Sequence, residues 1–240
     1  MSSFDHTRLK RTMESTRILP TEVEHVFIVP EEDFVSRELL ANEKEQGKPL
    51  KVAFDTNSGV YGAMNLGASM ASGQYVIFWN SGDILQSLSD FDDFISELRN
   101  SKPAWAIASG RLELGKSHQI SSADLRNFRD QKPQSYVSHQ VIACKRKLMF
   151  DLGLFDLTYK VAADTKMIQA LSREYAPMFS SAVIVGIETP KFSAIHHRLS
   201  RFETGKLALY DILCRAYFRP ILNVLKRELN FLINARRFTK

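Results

Sequence analysis

Two aspartates and the polar residues around them carry most of the chemistry this sequence could perform. Asp83 closes the run Asn80-Ser81-Gly82-Asp83, directly behind Tyr75 to Trp79, an apolar and aromatic segment of strand length. A polar loop in that place lies past the carboxyl end of a strand, where open α/β sheets bind ligands. Asp164 follows Ala163 at the start of a helical segment. A carboxylate so placed can cap a helix by accepting its free N–H groups. Asp83 too could cap the helix that starts nearby, or else bind a hard cation, while Asp164 could take a proton from a hydroxyl within hydrogen-bond reach. His139 and Gln140 add an imidazole and an amide on Tyr136 to Cys144, which reads as a strand. A histidine alternating with apolar neighbours is by itself more often a satisfied, half-buried residue than a reacting one.

The elements that must position these groups alternate between helix and strand. Asp5 to Arg17 has Leu9 and Met13 one turn apart and predicts an amphipathic helix, which Pro20 ends. Val23 to Val29 predicts a strand, Glu31 to Glu45 a charged surface helix, and Leu50 to Phe54 a second strand. The cluster Asn57-Ser58-Gly59 is a turn, Val60 to Met70 a helix, and Ser72-Gly73 its end. Gly67 inside that helix costs helix stability and so suggests close packing. After Asp83 come a helix over Leu85 to Leu98, two strands (Ala104 to Ala108 and Arg111 to Leu114) around Gly110, and a polar loop over Ser117 to Pro133. Lys145 to Leu152 is a short helix stopped by Gly153, Ala163 to Tyr175 a helix, Ser181 to Ile187 a strand, and Lys206 to Arg236 helical with a break at Pro220. This βαβ alternation argues for a layered sheet with helices on its faces.

Composition narrows the class. A 240-residue chain with 44% hydrophobic residues can build one substantial core or two small domains. The net charge of +5 is gathered at one end, where Arg215 to Lys240 hold seven Lys or Arg against one acid, Glu228. Cys144 and Cys214 have no metal-ligand spacing, which suits a reducing compartment and argues against a disulfide framework or zinc site. MSSFDHTRLKRT has no apolar signal region, and no apolar run is long enough to span a bilayer. The expectation is a cytoplasmic protein. In residues 218–240, Ile221, Leu222, Leu225, Leu229, Leu232 and Ile233 lie among basic residues. Such a helix can lie on an anionic membrane, here the inner face of the cell membrane, or pack on the domain or a second subunit. Nucleic acid is not an expected partner, because the basic residues lack a recognised module around them.

Gly59-Val60-Tyr61, Ala63-Met64-Asn65, Gly67, Gly73 and the strand into Asn80-Ser81-Gly82-Asp83 resemble the core of family 2 glycosyltransferases. The resemblance continues through His139-Gln140, Leu152-Gly153-Leu154-Phe155-Asp156 and Ala163-Asp164, and covers roughly Asp5 to Ser193. It implies an α/β, GT-A-like (Rossmann-like) mixed sheet flanked by helices over residues 1–200, with a basic helical extension over 201–240. It further implies an inverting transferase that moves a sugar from a nucleotide-diphosphate donor to a glycan or lipid-linked acceptor, as in surface polysaccharide assembly. In that reading Asp164 is the general base, and Asp83 holds Mg²⁺ or Mn²⁺ directly or through water. Asn57, Asn65 and Asn80 contact the donor, and His139 and Gln140 bind on the acceptor or diphosphate side. Tyr61 and Met64 are expected in the core. Asn65 has a structural alternative, a hydrogen bond to backbone at a packing point.

The departures from the family pattern fall on the donor side. Gly82, Asn57 and Gly62 stand where the pattern has carboxylates, and the strand from Val23 ends in Val29-Pro30-Glu31 where the pattern has an aspartate. The pattern's opening apolar strand and P-x-Y/F-N turn have no counterpart ahead of the first helix. A catalytically inactive GT-A-like domain that binds a partner or a glycan is the alternative these losses leave open.

Overall fold

Helix α1 (His6–Thr16) buries Leu9, Thr12, Met13 and Thr16, which recur at the three- and four-residue spacing of one helix face. It leads into β1 (His25–Pro30), α2 (Phe34–Glu45) and β2 (Leu50–Asp55), with β1 and β2 paired in parallel from His25–Leu50 to Pro30–Asp55. Leu9, Met13, Val29 and Leu40 form one apolar cluster, with Phe27 and Val52 packed against it. The computed structural model describes residues 6–45, 50–56, 58–113, 118–120, 137–188 and 197–213. The chain divides into two compact units, Met1–Ile195 and His196–Lys240.

Helix α3 (Gly59–Met70) then leads to a second, mixed sheet. Its strands are β3 (Tyr75–Val76), β4 (Ile84–Leu85), β5 (Trp105–Glu113), β6 (His118–Ile120), β7 (Ile142–Lys145) and β8 (Met178–Glu188), in the order β3-β7-β5-β8-β4, with β6 paired to β5. Helices α4 (Leu88–Ser101), α5 (Arg146–Asp151) and α6 (Ala163–Glu174) complete this unit. Phe94, Leu98, Trp105, Ile107, Ile184 and Ile187 are almost fully buried and form its core. The other unit contributes α7 (His197–Leu213) to the described residues. No described helix is long and apolar enough to cross a membrane. Residues 218–240 lie outside the described residues.

Several expected boundaries move, each for an identifiable reason. The strand expected over Tyr75 to Trp79 keeps a ladder only at Tyr75–Val76, because among the described residues no strand pairs with Ile77 to Trp79. The helix after Asp83 starts at Leu88, where Ser87 supplies the cap by accepting the Asp90 N–H at 3.2 Å. Leu85, expected to open that helix, pairs with β8 instead, together with Ile84. Within the polar segment expected as a loop, His118–Ile120 is a strand on β5, and residues 121–136 lie outside the described set. Gly153 does stop the short helix, with φ +86.

The two strands expected around Gly110 are one strand, β5, with register shifts against β8 at Ser109 and Gly110. Gly110 reads as a break in sequence but serves close packing. A Cβ there would lie 2.9 Å from Val141 Cγ1 and 3.2 Å from both Ile187 Cδ1 and Val185 Cγ1. Overfilling a core costs about 1–3 kcal/mol. Gly110→Ala is therefore expected to lower the urea midpoint with no change in the denaturant slope.

Candidate active site

Asn80 to Asp83 form a tight turn in which the Asp83 N–H bonds the Asn80 carbonyl at 3.0 Å. Gly82 takes φ +102, the positive value that the third residue of such a turn requires and that glycine adopts most readily. Helix α1 holds the turn from outside. Thr12 Oγ1 donates to the Asp83 carbonyl at 2.7 Å and accepts the Gly82 N–H at 2.9 Å. Asp83 is not a helix cap. Its Oδ2 accepts the Asn80 N–H at 2.6 Å and its Oδ1 accepts the Glu188 N–H, at the end of β8, at 3.2 Å.

The second carboxylate lies in the first turn of α6, whose N-cap is Ala162, so Asp164 does not hold the cap position either. Asp164 Oδ1 accepts the Thr165 N–H at 2.7 Å and lies 3.0 Å from the Tyr61 hydroxyl. Its Oδ2 is 3.3 Å from His139 Nδ1. The loop before α6 is braced by Asp156, which pairs with Lys166 and caps the Thr158 N–H at 2.9 Å. The Lys166 bond, more than those from Thr158, holds the Asp156 carboxyl down at about 2.

Between the two carboxylates sits His139–Val141, a single 3₁₀ turn and not the strand expected there. This turn reaches both sides. The Gln140 side chain lies close enough to Asp83 to favour its charged form, while the Gln140 carbonyl accepts Trp79 Nε1 at 3.1 Å and its Oε1 accepts the Ser138 hydroxyl. His139 turns its Nδ1 to Asp164. Among the described residues His139 Nε2 is buried without a hydrogen-bond partner. A cavity of about 20 Å³ borders both His139 and Asp164. That is room for about one water, and a buried donor or acceptor left unpaired is costly. A ligand oxygen or a water is the natural partner for this nitrogen.

The remaining expected residues are placed differently. Asn65 forms a two-point clip with the backbone of Phe155, Nδ2 to its carbonyl and Oδ1 from its N–H, both at 2.9 Å. That is the packing role, and it uses both ends of the amide. Asn80 acts through its backbone, as described. Asn57 lies outside the described residues. Tyr61 is buried as expected, yet its hydroxyl touches Asp164. A buried tyrosine nearly always finds a partner for its hydroxyl, and that was the signal available. Thr12, Arg8 and Glu188 were not expected, because nothing near them in sequence marks them.

Glu188 answers the missing acid at position 82. A Cβ on Gly82 would collide with the Glu188 carboxylate, which is ion-paired with Arg8 Nε. A carboxylate therefore occupies that region from β8 instead. The described residues offer few protein ligands for a cation. Asp83 is 1% exposed with both oxygens engaged, Glu188 is committed to Arg8, and no group of three ligating side chains is present among them. Burial pushes the Cys144 thiol up to about 12, so it stays protonated at neutral pH.

No family model and no curated protein matches the sequence. Solved structures do. TarS 1–349 of S. aureus in complex with UDP superposes with a TM-score of 0.61 at 14% identity, over 82% of this chain and 60% of that one. The mannosyltransferase PcManGT from Pyrobaculum calidifontis, in complex with GDP-Man and Mn²⁺, gives 0.59 at 14% identity over 79% and 56%. GalNAc-T7 with UDP, GalNAc and Mn²⁺ gives 0.55 at 15% identity over 76% and 41%. The chain thus spans less than two thirds of each of these structures. Likeness of this kind establishes the fold, and the fold is that of the GT-A glycosyltransferases.

Burial raises the Asp83 carboxyl from its ordinary 3.8 to about 6, against the backbone N–H groups of Asn80 and Glu188, which pull it down. The folded protein then holds this proton up to about pH 6, whereas the unfolded chain releases it near pH 4. Between those values the folded state binds the extra proton, so stability falls as pH rises. The full loss is roughly 3 kcal/mol. Chemical denaturation from pH 4 to 7 should show this decline, and Asp83→Asn should remove it whatever its effect on absolute stability.

Proposed function

We propose that this chain is a glycosyltransferase that moves a sugar from a nucleotide-diphosphate donor to a hydroxyl of a glycan or lipid-linked acceptor, with inversion. Surface polysaccharide assembly is the setting this reading suggests. The observation that carries it is the His139–Val141 turn, which ties Asp83 at the strand-end loop to Asp164 at the helix start. Asp164 is the general base. It takes the proton of the acceptor hydroxyl as that oxygen attacks the anomeric carbon. The new C–O bond forms on the face opposite the breaking bond, and the diphosphate oxygen leaves with the electron pair. His139 is a positioning residue that holds Asp164 Oδ2 and presents Nε2 to a substrate oxygen. Asp83 is the anchor of the donor-side loop. A divalent cation, Mg²⁺ or Mn²⁺, belongs to the proposal: Asp83 would hold it directly or through water, and it would supply charge neutralisation for the leaving diphosphate. The basic segment 218–240 belongs to the proposal as a peripheral contact with an anionic membrane, where lipid-linked acceptors reside.

One observation favours a second reading, an inactive domain that binds a glycan or a partner. Asp83 and Asp164 are 1% and 3% exposed, and every carboxylate oxygen of the pair already has a partner. A screen of UDP-, GDP- and dTDP-sugars separates the two, with nucleotide release as the readout. The transferase reading expects Asp164→Asn to lower turnover by about 10²–10⁴, with the fold kept by circular dichroism. Equal nucleotide release from wild type, Asp83→Ala and Asp164→Ala with every donor would leave the binding domain as the function.

A further inference from the structure

Both oxygens of the Asp164 carboxylate already have partners. Oδ1 accepts the Thr165 N–H at 2.7 Å and lies 3.0 Å from the Tyr61 hydroxyl, while Oδ2 lies 3.3 Å from His139 Nδ1. Only 4% of the Asp164 side chain is exposed, against 14% for His139. The state of the imidazole follows from this arrangement. An ionised carboxylate can only accept, so the ring nitrogen beside it must carry a proton. A neutral imidazole has a single N–H, which leaves Nε2 with a bare lone pair. That nitrogen is buried, and among the described residues it has no hydrogen-bond partner. An imidazolium in the free protein would place a charged N–H in the same unmet position, and an unpaired charged group is the costlier of the two. The resting ring is therefore neutral. The cavity of about 20 Å³ that borders His139 and Asp164 has room for about one oxygen. Apart from the Cys144 thiol its other walls are apolar, Val76, Phe78, Phe155 and Met167 among them.

We propose that His139 is itself catalytic, with Nε2 as the atom that receives the proton of the acceptor hydroxyl and Asp164 holding the ring through Nδ1. This rests on the transferase reading above and makes its base a pair. Asp164 supplies the negative charge, and the imidazole supplies the lone pair that meets the proton. The acceptor O–H bond breaks and its proton forms the Nε2–H bond. The electron pair left on that oxygen forms the bond to the anomeric carbon. The bond from that carbon to the diphosphate oxygen breaks, and its electrons leave with the diphosphate. The ring has then become an imidazolium, and its charge lies against the Asp164 carboxylate, which favours the charged form. Asp83 acts on the same ring in the same sense from farther off. Release of the products returns the proton to solvent and the ring to its resting state. The division of labour is that of a Ser-His-Asp triad, in which the carboxylate fixes tautomer and orientation and the imidazole moves the proton. A hydroxyl donor also meets the one hydrogen-bonding need that the pair leaves open.

Two measurements test the pair, and one of them involves no sugar transfer. Nitrogen-15 NMR of the ring, on the whole 240-residue chain with His139 assigned through its backbone, should show Nδ1 protonated and Nε2 bare at neutral pH. In Asp164→Asn that preference should be lost. A ring protonated at Nε2, or at both nitrogens, in the wild-type protein at neutral pH overturns the proposal. The second measurement is turnover of whichever UDP-, GDP- or dTDP-sugar the wild type uses. His139→Asn keeps an N–H that can reach Asp164 and deletes the receiving nitrogen. It should lower kcat by about 10²–10⁴, with the donor KM unchanged and the fold kept by circular dichroism. A near-wild-type kcat in His139→Asn, with Asp164→Asn impaired, would give the proton to Asp164 alone and overturn this inference while the transferase reading stands. A wild type that turns over no donor overturns both. Should His139→Asn misfold, the ring nitrogens of the unaltered chain still decide, because a protonated Nε2 has no lone pair to offer.

Discussion

The site depends on one buried carboxylate held by two distant pieces of backbone. Asp83 accepts N–H groups from its own turn and from the end of β8, and α1 clamps that turn through Thr12. The magnitudes conflict in an informative way. A hydrogen bond to a charged group contributes about 1.5–3 kcal/mol, while taking a carboxylate out of water costs several. The rise of Asp83 to about 6 shows that burial wins despite two backbone N–H groups and Gln140. The protein accepts that cost, and in return α1, β8, the strand-end loop and the 3₁₀ turn converge on one point.

That convergence explains which parts of the chain were legible in its sequence. Helix α1, β1, α2, β2 and α3 come out near the expected places because amphipathic spacing and Gly or Pro breaks are local signals. Asp164 at the start of α6 and Gly153 behind α5 follow for the same reason. The failures are all non-local. Ile77 to Trp79 have the composition of a strand but, among the described residues, no strand to pair with. Gly110 looks like punctuation, and only Val141, Val185 and Ile187, from other elements, explain it. His139 alternates with apolar residues as a strand residue would, yet the chain bends there because Ser138, Gln140 and Trp79 bond one another. No pattern along the chain reveals that Glu188 stands beside Gly82, or that Asn65 spends its amide on Phe155.

The geometry also separates two properties that a motif merges, being in the right place and being available. Asp164, His139 and Tyr61 are brought together from three elements. Among the described residues His139 Nε2 is buried and without a partner, whereas each carboxylate oxygen of Asp83 and Asp164 already has one. The imidazole is thus the member of the group with hydrogen-bonding capacity still to be met.

The Arg8–Glu188 pair beside Gly82 has a meaning for how this chain can change. A side chain at position 82 meets two obstacles at once, a backbone at φ +102 and a carboxylate already in its space. Placing an acid there by one substitution would put two negative groups together in a turn that only glycine adopts easily. Changing Glu188 first, then the turn, and only then position 82 avoids that collision. The order of substitutions thus decides which variants of this sequence can fold.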